Sequence, residues 1–286
     1  MTWLVTGANG QVGHALVQAA PSEVIGLDRA ALDITDAEAV RRAIAARAPD
    51  AVINAAAYTA VDRAEAEPEI AFAVNRDGAA NLADACAAVG IPLLHISTDY
   101  VFDGTKAAPY TEDDAPNPLG VYGQSKWEGE EAIRDRFDQH IILRTAWVFG
   151  AHGTNFVQTI LRLAREREAL RIVADQHGHP TPAAAIAEAL LHIARGVCAQ
   201  QGQWGTYHFA GQPPTTWHGF AKAIVAEARA HEPLAVQTLE PIDTTAYPTP
   251  ALRPLSTLLD TTRISEAFGL TMPDWREELR RIVVEG

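Results

Sequence analysis

The chain has 286 residues, 48% of them apolar, and 36 acidic side chains against 23 Lys and Arg give it a net charge of −13. That length suffices for a full hydrophobic core and a second lobe, and an acidic surface with no basic tract excludes general nucleic-acid binding. No apolar run reaches the length of a membrane span and the start carries neither a basic leader nor a cleavage-type segment, so a soluble, cytoplasmic protein without membrane contacts is expected.

The first predicted element is a strand, Thr2–Thr6, followed at once by Gly7-Ala-Asn-Gly10-Gln-Val-Gly13 and a helical pattern through Val12, Leu16 and Val17. In this strand–turn–helix context Gly7 permits the tight turn, Gly10 lets backbone N–H groups approach a pyrophosphate, and Gly13 lets helix and strand pack closely. A second strand, Glu23–Leu27, ends in Asp28-Arg29. A carboxylate there accepts hydrogen bonds from the 2′-OH of NAD, while Arg29 can offset its repulsion of a 2′-phosphate, so NADH and NADPH both stay open.

Thr35 or Asp36 caps a helix through Val40 and Ile44, and Asp50–Ala57 reads as a buried parallel strand ending in small residues, with Tyr58 and Thr59 on the rim. Leu82–Val89 suggests a helix in which Cys86, among Ala83, Ala85 and Ala87, is a small buried thiol. The other cysteine, Cys198, is remote, so neither a disulfide framework nor a thiolate metal site is expected. Strand Ile91–Ser97 delivers Thr98 and Asp99 to the carboxyl edge of the same sheet.

Tyr122 and Lys126 stand one helical turn apart, so the Lys126 charge is expected to lower the phenol's pKa and let Tyr122 pass a proton to a carbonyl oxygen held by the Thr98 hydroxyl. Ile141–Thr145 is a further strand, and Trp147 beyond it serves either as a wall against a sugar ring or as a core anchor. Lys126, Arg144 and Arg253 are candidates to give an anionic ligand a locally positive pocket.

These alternating elements define an α/β fold, a Rossmann-type doubly wound parallel sheet over residues 1–150, with 151–286 forming a smaller, mixed and predominantly substrate-binding lobe. The run near 206–209 is a strand that can return to the first domain. Asn155–Arg165, Ala183–Arg195, Trp217–Arg229 and Trp275–Val284 read as helices, and the proline-rich stretch 241–254 as irregular. His177 and His179 beside Asp175 read as a polar loop near a ligand rather than a metal site.

Seven blocks in order, Gly7–Gly13, Asn54–Asp62, Ser97–Gly104, Val121–Lys126, Arg144–Phe149, Asp175–Thr181 and Tyr247–Pro254, resemble the dTDP-4-dehydrorhamnose reductase family of extended short-chain dehydrogenases/reductases. The resemblance implies NAD(P)H-dependent reduction of the C4 ketone of dTDP-6-deoxy-L-lyxo-4-hexulose to dTDP-L-rhamnose, a donor for cell-surface polysaccharide. It places Gly10, Gln11 and Val12 at the pyrophosphate, Asp28 at the adenosine ribose, Asp33 and Ile34 at the adenine, and Ala57, Tyr58 and Thr59 along the middle of the cofactor. Ile96 falls near the nicotinamide, Thr98, Tyr122 and Lys126 in the catalytic roles, and Thr98, Asp99, Trp147 and Arg253 toward the deoxysugar.

Some bacterial members of that family pair through a magnesium ion held by acidic residues. Here one such position is Ala15, which has no ligand atom, and Glu188 cannot replace it, so a bridging magnesium is not expected and a monomer is favoured over a weak homodimer. Two alternatives stay open: a non-catalytic, cofactor-binding regulatory subunit of the methionine adenosyltransferase type, and a reductase or epimerase of another nucleotide sugar.

Overall fold

Six strands form one parallel sheet in the computed structural model, which describes residues 1–199 and 203–285; the other positions of the expected 151–286 lobe lie outside the described residues. In chain order they are β1 (Trp3–Thr6), β2 (Val24–Leu27), β3 (Ala51–Asn54), β4 (Leu93–Thr98), β5 (His140–Thr145), and, after the short strand β6 (Ala169–Val173), β7 (Gly205–His208). The sheet order is β7-β5-β4-β3-β1-β2, every pairing is parallel, and the order reverses between β1 and β3. Strands β3 and β5 are buried at every position, as expected of strands covered on both faces.

Helices α1 (Gln11–Ala19), α2 (Ala37–Arg47), α3 (Gly78–Val89), α4 (Val121–Arg134), α5 (Phe156–Glu166) and α6 (Ala183–Cys198) follow. Strand alternation assigns the two faces: Trp3 and Val5 pack with Val12 and Leu16 of α1 and Ile186 and Leu190 of α6, whereas Leu4 packs with Val40 and Ile44 of α2 and Leu82 and Cys86 of α3. Asp36, not Thr35, caps α2, accepting from the N–H groups of Glu38 and Ala39 at 2.9 Å each. None of the described helices is long and apolar enough to cross a membrane.

The segment beyond residue 150 does not stand apart from this sheet, because it supplies both β7 and the covering helix α6. Three of its remaining helices, α5, α7 (Trp217–Arg229) and α8 (Trp275–Glu285), build a separate cluster around Val157, Ile160, Phe220, Ile224, Trp275 and Leu279, while the short helix Thr262–Phe268 packs with the core around Trp3 and Val5 through Ile264. The proline-rich stretch is not irregular throughout. Residues Thr238–Ile242 form β8, which pairs in parallel with β6 and tolerates Pro241 because only one neighbour is bonded.

His179 is buried, its Nδ1 facing the Gly211 carbonyl at 2.8 Å while its Nε2 accepts from the Leu259 N–H at 3.2 Å; it ties loops together. Asp175 is engaged by the Thr244 N–H and hydroxyl, and no cluster of metal-ligating side chains occurs among the described residues.

Candidate active site

At the carboxyl end of β1 the chain turns through Gly7 with φ +68°, and a Cβ there would meet Ala56 N at 2.6 Å. A Cβ on Gly13 would lie 2.2 Å from the Gly7 carbonyl, so α1 can start against the turn only because Gly13 has none. Gly10 caps α1 with no side-chain bond, and the first turn holds no acidic residue, leaving its N–H groups for an anion.

Gly7, Gly10, Asp28, Arg29, Asp33, Ile34, Ala57 and Tyr58 line a cavity of about 440 Å³. Gly10 and Ala57 are shared with a second cavity of about 620 Å³, lined also by Gln11, Val12, Thr59, Ile96, Thr98, Asp99, Tyr122, Lys126 and Trp147. Asp28 accepts from Asn9 Nδ2 at 2.8 Å and from the Ala31 N–H at 2.9 Å, while the exposed Arg29 reaches to 3.7 Å from Asp33. Tyr58 turns its hydroxyl to Glu67 at 2.5 Å and its N–H to Asn75.

Three expected residues line neither cavity. Gly13 lies beneath the turn, Arg253 donates to Asp62 at 2.9 Å and to the Ala251 carbonyl at 3.0 Å, and Arg144 is wholly buried in an ion pair with Glu130. Arg144 therefore gives the pocket no positive charge. Its β5 position points it into the sheet–helix interface rather than toward the carboxyl edge.

That ion pair seats the catalytic helix. Glu130, on the face of α4 that carries Lys126, accepts from Arg144 Nη2 at 2.7 Å, Arg134 Nη2 at 2.7 Å and Ser97 Oγ at 2.5 Å. Burial alone would raise its pKa; Arg144, Arg134 and Ser97 together hold it down to about 2. One turn earlier Asn75 donates to Ser125 Oγ at 2.9 Å, so α4 is fastened on two sides before any ligand arrives.

Burial pushes the Tyr122 phenol up to about 12, against the opposing influence of the nearby Thr98 hydroxyl, and burial lowers Lys126 to about 8 despite Glu130. This corrects the expectation that Lys126 lowers the phenol's pKa. Lys126 Nζ instead donates to the Ile96 carbonyl at 2.7 Å and faces His95 Nε2 at 3.0 Å. An i, i+4 spacing sets the shared face but not where a long side chain ends.

Thr98 donates to Asp99 Oδ1 at 3.1 Å and accepts from the Tyr100 N–H at 3.2 Å; Asp99 Oδ2 accepts from Thr257 at 2.5 Å. Burial still pushes Asp99 up to about 7, although Thr257 and Thr98 oppose it. Trp147, at φ +43°, stacks on Trp217 with centroids 3.6 Å apart, and both rings line the larger cavity. It is therefore both cavity wall and anchor to the α7 helix.

His95, Glu130, Thr257 and Trp217 were not among the expected site residues. Glu130 had a signal, its i+4 spacing from Lys126. Thr257 and Trp217 had none, being 158 residues from Asp99 in one case and on a distant helix in the other.

A doubly wound parallel sheet whose glycine turn opens onto a cavity also holding Thr98, Tyr122 and Lys126 is the architecture of an extended short-chain dehydrogenase/reductase. The family model for the RmlD substrate binding domain matches residues 1–286. The chain is 46% identical over 285 residues to dTDP-4-dehydrorhamnose reductase of Burkholderia thailandensis, with 96% of each chain covered, and 41% identical over 292 residues to that of Escherichia coli K12, with 100% and 98% covered. It also superposes on a crystal structure of dTDP-4-dehydrorhamnose reductase from Bacillus anthracis in complex with NADP, at TM-score 0.92, 36% identity and full coverage of both chains. The chain belongs to the dTDP-4-dehydrorhamnose reductase family.

Proposed function

We infer that this protein uses NADH or NADPH to reduce the C4 ketone of dTDP-4-dehydro-β-L-rhamnose, giving dTDP-L-rhamnose. The observation that carries the reading is the convergence of Thr98, Tyr122 and Lys126 on a cavity continuous with the glycine turn. The open first turn of α1 suits a pyrophosphate, and the side-chain-free floor at Gly7 and Gly10 suits a dinucleotide lying on backbone. Asp28, already held by Asn9 and the Ala31 N–H, favours a ribose 2′-OH, with Arg29 beside it to admit a 2′-phosphate.

When bound, the dihydronicotinamide supplies the hydride. Tyr122, protonated throughout the physiological range, donates the proton as charge develops on the C4 oxygen, and the Thr98 hydroxyl holds that oxygen. In the cofactor-free protein the single Thr98 hydroxyl proton is given to Asp99, so the hydroxyl turns away from Asp99 to hold the C4 oxygen; Asp99 then presents a carboxyl group to the sugar, while Trp147 and Trp217 exclude water from its face. Residues 151–286 contribute the substrate side through Trp217 and Thr257; Arg253 reaches the substrate only if it leaves Asp62. A cytoplasmic location suits a biosynthetic reductase, and a monomer suits a chain in which Ala15 offers no ligand atom to a bridging ion and Glu188 is exposed.

The test is NADH and NADPH oxidation with dTDP-4-dehydrorhamnose generated in situ, beside Tyr122→Phe. Formation of dTDP-rhamnose that collapses in the variant supports the reading. Cofactor binding without turnover on this sugar, or on UDP and GDP counterparts, would replace it with a regulatory-subunit role.

A further inference from the structure

Behind Lys126 a chain of buried side chains crosses the sheet from β4 to β1, and its hydrogen-bond logic admits few proton placements. Asn54 Oδ1 accepts from Thr6 Oγ1 at 2.6 Å and from the Ala56 N–H at 3.1 Å. A backbone N–H cannot accept, so the amide oxygen must face Ala56, and Nδ2 must be the atom 2.9 Å from His95 Nδ1. An amide nitrogen only donates. His95 Nδ1 is therefore bare, and the neutral ring carries its proton on Nε2, the atom 3.0 Å from Lys126 Nζ.

An ammonium has no lone pair with which to meet an N–H, whereas a free amine has one and can still donate to the Ile96 carbonyl. Both side chains are buried, His95 at 1% and Lys126 at 2% exposure. The ionisable groups around them are His140 and Arg144 on β5, Asp99 beyond β4, and Tyr122, Glu130 and Arg134 on α4. Glu130 is engaged by Arg144, Arg134 and Ser97, and Asp99 by the two threonines, so neither is free to hold an ammonium.

We propose that His95 is a positioning residue: held by Asn54 in the tautomer with its proton on Nε2, it donates to Lys126 Nζ and keeps that side chain an uncharged amine before the dinucleotide binds. On the reductase reading above, on which this consequence rests, the ribose hydroxyls offer acceptors, and Lys126 takes up one proton from solvent as the complex forms. The amine is thus converted to the charged form only when a cofactor is in place. Burial acts in the same direction on Lys126.

The chain has only three lysines, Lys106, Lys126 and Lys222, so 13C NMR of the lysine Cε carbons in the cofactor-free protein resolves each, with Lys106→Arg and Lys222→Arg giving the assignments. Burial brings Lys126 down to about 8, and the uncharged form requires a titration midpoint lower still, below about pH 7, against about 10.4 for an ordinary lysine. Asn54→Asp, which can accept from His95 Nδ1–H and leave Nε2 bare, should raise that midpoint by more than one pH unit. A wild-type midpoint above about pH 7, or one unmoved in folded Asn54→Asp, overturns the proposal. Should that variant not fold, 15N–1H correlations of the wild-type imidazoles decide: a ring with Nε2 protonated and Nδ1 bare is required of His95, and Nδ1–H overturns it. Fluorescence titration with NADH and NADPH runs alongside; absence of binding there would remove the reductase reading while the lysine midpoint still judges His95.

Discussion

The two halves of the cleft are built in different ways. The floor of the half at the glycine turn is made of backbone: Gly7, Gly10 and the open N-terminus of α1 present N–H groups, and side chains such as Asp28, Arg29, Asp33, Ile34 and Tyr58 line its sides. The other half is made of buried side chains drawn from β4, α4 and the Thr257 segment, each holding the next. Backbone geometry is set locally and does not titrate. A buried side-chain network has strong electrostatics because water is excluded, and for the same reason losing one partner leaves another unsatisfied.

Substitutions should separate the halves. Tyr122→Phe is expected to lower kcat by roughly 10²- to 10⁴-fold with cofactor Kd nearly unchanged, read by steady-state kinetics and fluorescence titration. Equal losses in both quantities would show that the halves are not independent.

Glu130→Ala removes the one carboxylate that pairs with buried Arg144 among the described residues and should cost on the order of 3–5 kcal/mol in urea unfolding, with Glu130→Gln costing less. A near-neutral Glu130→Ala would mean that α4 is seated by Ser125 and packing alone.

Asp99 gives the pH signature. Its folded pKa of about 7 lies above the ordinary carboxylate value, so the fold favours the protonated form; stability present below about pH 4 is lost as pH rises through about 7. The urea midpoint should therefore fall between pH 5 and pH 8, and Asp99→Asn should flatten that fall. Trp217→Ala should raise the sugar-nucleotide KM by roughly three- to tenfold, the worth of one stacked aromatic pair. The rim gives an effect of similar size: Asp28→Ser should shift preference toward NADPH by roughly five- to tenfold, measured as the ratio of kcat/KM values.

How much was legible in the chain follows the same division. Strands β3, the Ala51–Asn54 part of the expected Asp50–Ala57, and β5 announced themselves as apolar runs because parallel strands are covered on both faces, and the glycine turn was readable because its function lies in consecutive residues. The Tyr122 and Lys126 pair was visible in its spacing, yet its electrostatics were not: burial raised the phenol, and His95 with Ile96 claimed the lysine. Arg144 looked like a pocket cation and proved to be a buried clamp, since a strand position alone does not say which ion pair awaits it. β8 was hidden among prolines because the partner that makes it a strand, β6, lies far away in the chain.

The sequence by itself thus determined the doubly wound sheet, the glycine turn and the identities of the groups on the cleft, because these depend on periodicity and on neighbours a few residues apart. The sequence also offered the return of β7, whereas tertiary structure alone decided the covering of the first sheet by α6, the stacking of Trp147 on Trp217, and the protonation of Asp99, Tyr122 and Lys126. Those outcomes depend on desolvation and on partners brought together across the chain, quantities that exist only once the fold has closed around them.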